Sequence, residues 1–518
     1  MNLKAHIPFH QVYFFSLLII VLGLPLSPFL MSLGLGIMLL NWIAEGEWTR
    51  KINEIKANKG LWVFSIIYIV HLLWFFNTSD FLYGFKDIKI KLPILILPLV
   101  IGTSKLPSVE SIRKIAGLFI ASTFVSTIII VLVAYHVINI PYRDIRYASI
   151  FISHIRLSLY IVLIIFMLIY GLIEGLYSSK TFKLSCILLI AWFLGFLILL
   201  QAMTGIVILG FAGLLLFFLF YFKGISVIFR IISVFALSLI LAMAVYYVNA
   251  VVRTYYNKEA INIKDIDLKT ANGRYYLHSF DDKSTENGHY VGLYKCVDEL
   301  KQEWPKRSKM PYDSLDKKGQ PIRATMLRYL TSCGVRKDSA GLWSLSDKDI
   351  RFIENGNTNN IFNNRLSIKP RIYAIVSEID HYMQGEQPYG SSVTQRIVFA
   401  TIALKVISNN LWIGVGTGDV KSSFDEMYNQ QYFQVPLEFR LRAHNQYLTF
   451  ALAFGVPAML LLCFCFIYPV LMRKKDLFAY AILIILLLSF INEDTLETQS
   501  GATFFAFFYA LFVFGKSE

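Results

Sequence analysis

The chain has 518 residues, of which 56% are hydrophobic and 16% charged, and its formal net charge is +14. A chain of this size with so few charges is too apolar for an ordinary soluble protein, which excludes the soluble enzyme classes. The composition predicts an all-α polytopic membrane protein, and the sequence contains no motif for nucleic-acid recognition.

Twelve apolar stretches predict membrane spans. They cover residues 12–25, 28–43, 60–76, 90–102, 115–138, 156–175, 184–201, 203–222, 227–250, 443–471, 477–491 and 500–514. The first begins near Tyr13 without a small-residue cleavage site, so we expect it to be retained rather than removed as a signal. The fourth is short and contains Pro93 and Pro98, so its ends are the least defined. The spans form predicted blocks at residues 1–250 and 443–518.

Lysines and arginines in the links predict the orientation, because cytoplasmic loops retain positive charge during insertion. With the N-terminus inside, every inner link is basic. The basic residues of these inner links are Arg50, Lys51, Lys56, Lys59, Lys105, Arg113, Lys114, Lys180, Lys183, Lys223, Arg230, Arg473, Lys474 and Lys475. The outer link at 492–499 has no lysine or arginine. Both termini are therefore predicted to be cytoplasmic, with the polar stretch from about Val251 to Arg442 outside.

Several cations occupy predicted outer links, where the charge rule disfavours them. They are Lys86, Lys89, Lys91, Arg143, Arg146 and Arg156. For the lysines, snorkelling to the membrane surface is an equally good account. Arg156 lies at the head of the apolar helix SHIRLSLYIVLIIF, where an ionisable group needs an anion or a lined cavity. These cations point to an anionic substrate outside.

The outer segment at 251–390 is polar and long enough to fold as a small domain. KCVDELKQEW, ATMLRYLTS and DKDIRFIE have helical spacing, so the domain is predicted to be mainly helical. Cys296 and Cys333 would be able to pair in an oxidising compartment, although two cysteines do not establish a framework. Asp265 and Asp267 have a D-x-D spacing that could hold a divalent cation, but their variable-looking context far from the spans disfavours that interpretation.

Residues 391–442 are predicted to form an amphipathic helix along the membrane surface, followed by a glycine-rich turn. The helix carries Arg396, and the turn WIGVGTGD contains Gly416 and Gly418. Such glycines allow the backbone to approach a ligand closely. An arginine on such a helix is more often part of its solvated face, so Arg396 alone is a weak signal.

RLRAHNQYLTF places Arg440, Arg442, His444 and Asn445 at the mouth of the tenth span. A lone histidine there would usually be an interfacial residue. Fixed positive charge beside it favours the neutral imidazole, the form that a general base requires. The acidic residues Glu493, Asp494 and Glu497 at the outer end between the last two spans would anchor an arginine, orient an acceptor, or form a solvated turn.

The order and spacing of Arg396, GVGTGD and HNQYLTFALAFGVPAML resemble the shared core of the O-antigen ligase and polymerase family. These are membrane glycosyltransferases that act on lipid-linked glycans, and the twelve-span layout with a large outer loop before the last three spans is similar to theirs. SHIRLSL, NGHYVGLYKCVDELKQEW, LRYLTSCGVRKDSAGLWSLSDKDIRFIENG and EDTLETQSGATFFAFFYALF resemble a Bacteroidetes-type branch of the ligases. The resemblance implies a GT-C-like fold with a large, mainly helical periplasmic domain between the ninth and tenth helices.

The resemblance also implies the chemistry. Family members transfer a glycan from undecaprenyl pyrophosphate to an acceptor such as lipid A-core at the periplasmic face of the inner membrane, without a metal or other cofactor. His444 matches the essential histidine, which takes the proton of the acceptor hydroxyl, and Arg396 matches an arginine that holds the pyrophosphate. A single displacement by that hydroxyl inverts the anomeric centre. Asn445, Gly416, Gly418 and Glu493 are possible supporting residues.

The sequence departs from the family at one point. Many relatives carry a second arginine in Ser-Arg-Gly between the seventh and eighth spans, where this chain has QAMTGIV, Gln201–Val207. Arg156 is our candidate to replace it as a pyrophosphate ligand, with Arg442 and Arg146 as alternatives. Three other functions stay open at this stage: an O-antigen polymerase, a protein O-oligosaccharyltransferase, and a glycolipid flippase or transporter.

Overall fold

The structure is a computed structural model that describes residues 8–517, except 107, 142–144, 177–178, 263–265, 365, 388, 432–434 and 474–475. Arg143, Asp265, Lys474 and Lys475 of the sequence predictions therefore lie outside the described residues. The chain divides into two compact units. The core unit is Met1–Ser226 with Pro388–Glu518, and the insertion unit is Val227–Gln387.

Helices make up most of both units. The first part of the core unit contains α1 (Phe9–Leu26), α2 (Pro28–Glu45), α3 (Trp48–Ala57), α4 (Lys59–Leu73), α5 (Phe81–Thr103), α6 (Val109–Ala134), α7 (His154–Ile173), α8 (Lys180–Leu199) and α9 (Met203–Leu216). The insertion unit contains α10 (Val227–Tyr256), α11 (Val297–Arg307), α12 (Ile322–Ser332), α13 (Ser339–Ser344), α14 (Asp347–Glu354) and α15 (Lys369–Met383). The second part of the core unit contains α16 (Thr394–Asn409), α17 (Val420–Gln431), α18 (Gln446–Met472), α19 (Leu477–Ser489) and α20 (Gln499–Tyr509).

The strands are short. In the core unit, β1 (Lys105–Leu106) pairs in parallel with β4 (Lys516–Ser517). In the insertion unit, β2 (Thr285–Glu286) pairs antiparallel with β3 (His289–Tyr290). The all-α prediction therefore describes the architecture.

Among the described residues, nine helices are long and apolar enough to cross a membrane. They are α1, α2, α4 with the turn after it, α6, α7, α8, α9 with the turn after it, α10 and α18. α19 and the C-terminal stretch Gln499–Phe514 are apolar but shorter. The predicted fourth span lies in α5, whose first half carries Lys86, Asp87, Lys89 and Lys91. A multi-pass membrane protein is thus supported, while the count of twelve stays a prediction.

The hydrophobic interior of the core unit forms around α20, whose residues from Gly501 to Tyr509 are all buried. Phe504 packs against Tyr160 of α7 with ring centroids 4.3 Å apart, and Phe508 packs against Phe119 of α6 at 4.7 Å. Aromatic packing of this kind adds to the free energy gained by apolar burial. It fixes the N-terminal parts of α7 and α20 relative to each other, which positions the site described below.

Two features of the core unit were not predicted. α3 is a separate amphipathic helix in a link that the sequence marked only as basic; its Lys51 is buried, 2.7 Å from Glu45. α18 contains a break at Gly455, which has φ +81°. A Cβ at Gly455 would lie 2.3 Å from the carbonyl oxygen of Trp412, so the break lets the turn after α16 pack directly against α18.

The insertion unit has its own core. Leu300, Trp304, Met326, Tyr329, Leu330, Leu342 and Ile353 are fully buried in it. The helices that the sequence predicted there are present as α11, α12 and α14, and Ser346 with Asp349 forms a capping box at the start of α14. Both Cys296 and Cys333 are free, so the disulfide left open by the sequence is not formed. Asp267 of the D-x-D spacing pairs with Arg336.

Candidate active site

His444 lies at the residue before the N-cap of α18. Its φ is +47°, in the left-handed region that few non-glycine residues adopt and that often marks functional positions. The ring is 27% exposed and packs beside Phe399 of α16, with ring centroids 5.8 Å apart. Its Nδ1 atom lies 3.6 Å from an oxygen of Asp494 and 3.7 Å from an oxygen of Glu493. Both distances are slightly too long for a hydrogen bond, so the carboxylates face the imidazole without being bonded to it.

These carboxylates belong to the acidic turn, residues 490–498, which connects α19 to α20. The two residues after His444, Asn445 and Gln446, hold the acidic turn against the start of α18. The side chain of Asn445 caps α18 through the Leu448 N–H and donates to the carbonyl of Ile491 at 2.7 Å. The fully buried Gln446 donates from its side chain to Glu497 at 3.0 Å and accepts from the Leu496 N–H at 2.9 Å. Asn445 is therefore a structural support of the site, and Gln446 is a second support that the sequence reasoning missed.

Two arginines reach the same carboxylate that faces His444. The Nη2 atom of Arg156, on α7, lies 3.5 Å from Oε1 of Glu493. The Nη2 atom of Arg396, on α16, lies 3.8 Å from Oε2 of Glu493. Glu493 is 5% exposed, so this is a largely desolvated group. His444, Arg156 and Arg396 converge on one point, although they come from three separate helices or their ends.

Arg442 belongs to a second, deeper cluster. Its Nε atom lies 3.2 Å from Asp494, and its Nη1 atom lies 3.6 Å from Glu497. Glu497 also accepts from Nζ of Lys91 at 2.9 Å, and Lys91 pairs with Asp87 on α5. Lys91 is 2% exposed, so snorkelling is the wrong interpretation for it, whereas Lys86 and Lys89 are exposed. Arg442 is thus held by two carboxylates of the chain itself, and its role as a pyrophosphate ligand stays a prediction.

The electrostatics distinguish the three acids. Burial raises the pKa of Glu493, but His444, Arg156 and Arg396 lower it by more, so its pKa lies below the ordinary value. Burial likewise opposes ionisation of Glu497, but Lys91 and Arg442 hold its pKa well below the usual range. Burial, reinforced by repulsion from Glu493 and Glu497, raises the pKa of Asp494. Glu493 is therefore a stable anion between the two arginines, and Asp494 is the carboxyl that takes up a proton most readily.

The turn that lacks the expected arginine contacts the acidic turn. Gln201 has φ +51°, and Thr204 accepts a hydrogen bond from the side chain of Asn492 at 2.8 Å. A Cβ at Gly205 would lie 2.5 Å from Cβ of Ser158, so α9 approaches α7 very closely next to Arg156. Arg156 therefore lies near the turn Gln201–Val207, and its role as a pyrophosphate ligand stays a prediction.

Two other predicted cations lie elsewhere in the structure. Arg146 is half-buried on the short 3-10 helix Ile145–Ala148 that precedes α7, and its role as a ligand stays a prediction. Arg440 donates to the carbonyl of Val435 at 2.9 Å and to the side chain of Asn429 at 2.6 Å.

The glycine-rich turn packs closely against the segment between α4 and α5. A Cβ at Gly416 would lie 2.0 Å from the carbonyl oxygen of Asn77, and one at Gly418 would lie 2.3 Å from that of Asp80. The carboxylate of Asp419 accepts from the N–H groups of Ser79 and Asp80 at 2.7 Å. The turn therefore locks α16 and α17 onto the segment between α4 and α5. The predicted approach of these glycines to a ligand stays a prediction.

Replacing Gly416 with alanine is expected to destabilise the protein by at least ~2 kcal/mol, because its φ of +105° strains any other residue and the added Cβ meets the Asn77 backbone. The thermal unfolding midpoint of the detergent-purified protein should fall. Gly117→Ala on α6 is the matched control, because nothing lies within 4 Å of its Cβ position. An equal midpoint for both variants would contradict the packing role of the turn.

One group of the described residues has the donor types of a metal site. Ligand atoms of His444, Glu493 and Asp494 all lie within 4.8 Å of one another. An imidazole with two carboxylates is a set that Zn²⁺ accepts. However, Glu493 already faces two guanidinium groups and Asp494 a third, so cations of the chain balance these charges. The expected independence of metal stays a prediction.

Residues 359–463 match the family model described as O-antigen ligase. This stretch of the chain is similar to the O-antigen ligase family. The match covers about a fifth of the chain and contains Arg396, Arg442, His444 and Asn445. No curated protein matches the sequence.

The match to the O-antigen ligase family ends within α18, before the acidic turn, and it begins well after Arg156. Half of the cluster around Glu493 therefore comes from parts of this chain that the family model does not cover. The matched stretch contributes the histidine and Arg396; α7 and the acidic turn contribute the other arginine and the carboxylates. At a coarse level the match supports an enzyme of glycosyl transfer that acts on lipid-linked substrates in a membrane.

Proposed function

We propose that this chain is an O-antigen ligase of the inner membrane, which transfers a glycan from undecaprenyl pyrophosphate to lipid A-core at the periplasmic face. The convergence of His444, Arg156 and Arg396 on Glu493 carries the proposal. A glycosyl transfer of this type needs a base for the incoming hydroxyl and fixed positive charge for the departing diphosphate, and both are present within one cluster.

His444 is the proposed base. Its Nδ1 atom faces Glu493 and Asp494, so a proton on Nδ1 would point at carboxylates and leave Nε2 as the acceptor for the hydroxyl proton. The hydroxyl oxygen then bonds to the anomeric carbon as the bond from that carbon to the diphosphate oxygen breaks. The two carboxylates stabilise the imidazolium that forms, as the aspartate of a Ser-His-Asp triad stabilises its histidine. The anomeric centre is inverted, and no covalent enzyme intermediate is needed.

Arg156 and Arg396 are the proposed ligands of the diphosphate. Arginine is always charged and presents a planar fork to phosphate oxygens. In the structure both guanidinium groups face Glu493, so the diphosphate would compete with this carboxylate for them. Both termini are proposed to be cytoplasmic and the cluster periplasmic, from the basic inner links.

Deletion of the gene separates the ligase from its rivals. The readouts are gel analysis of lipopolysaccharide and measurement of undecaprenyl-linked glycan. A ligase predicts that all capped lipid A-core disappears while long unattached chains remain. A single attached repeat would instead indicate a polymerase, and unchanged lipopolysaccharide with loss of glycoprotein would indicate the protein-modifying enzyme.

Transfer by the purified protein is expected to be unaffected by EDTA, since the arginines carry the charge of the leaving group. The measurement is glycan transfer before and after dialysis against the chelator, with and without added Zn²⁺ or Mn²⁺. Loss of transfer on chelation and its recovery with metal would contradict the prediction. That result would assign His444, Glu493 and Asp494 to a metal site.

A further inference from the structure

The insertion unit contains an open cavity of about 600 Å³. This volume falls within the range of roughly 300–1,000 Å³ that is typical of small-ligand sites. Its walls come from the end of α12, the link between α13 and α14, residues 360–364, Ser367 and Lys369. Val335, Leu345 and Ile361 give it an apolar part, and all its lining residues belong to the insertion unit. None of them takes part in the cluster around Glu493.

Asparagines form one wall of this cavity, and a hydrogen-bond network fixes the segment that carries them. The side chain of Asn287 donates to the side-chain oxygens of Asn360 at 3.0 Å and Asn359 at 3.2 Å. Asn359 is 1% exposed, and the Asn360 N–H donates to the hydroxyl of Ser332 at 2.9 Å. The wall is therefore built before any ligand arrives, which reduces the entropy lost on binding.

Charged and polar groups complete the lining. The carboxylate of Asp349 accepts from the hydroxyls of Tyr329 and Ser346. Although burial raises its pKa, these hydrogen bonds lower it by more, so Asp349 stays ionised. Lys369 lines the same cavity, as do Asn363 and Asn364. One carboxylate and one ammonium leave the cavity without the excess of cations that a diphosphate would need.

The combination of groups selects a class of ligand. Amide side chains offer donors and acceptors together, which matches hydroxyl groups that also act as both. An apolar part beside them matches the C–H face of a pyranose ring. A neutral, polyhydroxylated ring with one apolar face fits this cavity better than an anion or an apolar chain does.

We propose that this cavity binds a saccharide, either part of the donor glycan or part of the acceptor glycan. The proposal rests on the proposed function, which makes both glycans available to the outer segment.

Two lipid-free probes distinguish the sources: core oligosaccharide released from the host's own lipopolysaccharide, and oligosaccharide released by mild acid from its undecaprenyl-linked glycan. Calorimetric titration of the full-length protein in detergent measures the Kd for each. Asn364→Ala with Lys369→Ala should weaken binding of one probe about tenfold or more, as expected for the loss of two polar contacts. Asn272→Ala with Lys283→Ala, both exposed positions of the same unit and outside the cavity lining, is the matched control and should bind like the wild type.

A second measurement needs no substitution. Cys333 lines the cavity and is half-buried, so a bound saccharide should slow its alkylation by N-ethylmaleimide, read by mass spectrometry of its peptide. Protection by one probe, lost in the double variant, supports the site and identifies the source of the sugar. Absence of binding by both probes, unchanged affinity in the double variant, or protection by a peptide instead of a saccharide would overturn the proposal.

Binding and catalysis can fail separately. His444→Asn should lower transfer strongly and leave saccharide affinity unchanged, because the two sites share no residue. Transfer by the wild type without saccharide binding would overturn the cavity proposal alone. Saccharide binding with no transfer by the wild type to either lipid A-core or a second lipid-linked repeat would overturn the proposed function alone.

Discussion

Replacing His444 with asparagine is expected to lower glycan transfer by roughly 10²–10⁴-fold, the usual contribution of a general base. Asparagine tolerates the left-handed backbone that His444 adopts at φ +47°, so the fold around the N-cap of α18 should persist. It offers no group that accepts a proton at neutral pH. In cells, donor glycan should accumulate on undecaprenyl pyrophosphate while capped lipid A-core disappears, and the purified variant should bind donor normally.

His381→Ala is the matched control for that experiment. This histidine lies on α15 with half of its side chain exposed and contributes nothing to the cluster at Glu493. Its variant should transfer glycan at the wild-type rate. Normal transfer by His444→Asn would contradict the base role. Normal movement of lipid-linked glycan to the outside, in a chain with no transferase activity at all, would favour a flippase.

The sequence located the parts of the site that lie close to a recognisable local pattern. Arg396 lies near the start of α16 and His444 just before α18, and their order with the glycine-rich turn was enough to indicate the family. Arg156 was noticed because an arginine at the head of an apolar span needs a partner. In the structure that partner is Glu493, which lies far along the chain from Arg156.

The supports of the site were not predictable in the same way. Lys91 and Glu497 meet across 406 positions of the chain, and nothing in either local pattern indicates that their links adjoin. In the sequence, Gln446 resembles an ordinary first residue of a span. In the structure its side chain holds the acidic turn by hydrogen bonds. Hydrophobic periodicity reports which face of an element is buried, but not which other element covers it.

The charge environment of His444 is also different from the one that the sequence suggested. The neighbouring arginines in RLRAHN led us to expect an imidazole beside cations. In the structure Arg442 turns to Asp494 and Glu497, while Nδ1 of His444 faces Asp494 and Glu493. Arg442 and His444 therefore share Asp494, so the carboxylates lie among the cations that the sequence placed beside the imidazole.

Replacing Arg396 or Arg156 with alanine is expected to lower kcat/KM for the donor by about 10²–10³-fold each, the scale seen when one preorganised charge at a leaving group is removed. Lysine at either position should recover only part of this loss, since it lacks the planar fork. The measurement is single-turnover transfer from purified donor at several donor concentrations. Arg323→Ala, on the exposed face of α12, is the control and should match the wild type.

The double variant tests whether both arginines act on one group. Because Arg156 and Arg396 face the two oxygens of the same carboxylate, their effects should be coupled, and the loss in the double variant should be smaller than the product of the single losses. Strictly multiplicative losses would mean that the two guanidinium groups act at separate places. A full effect from Arg396→Ala with none from Arg156→Ala would contradict Arg156 as the second diphosphate ligand and would return that role to Arg442 or Arg146.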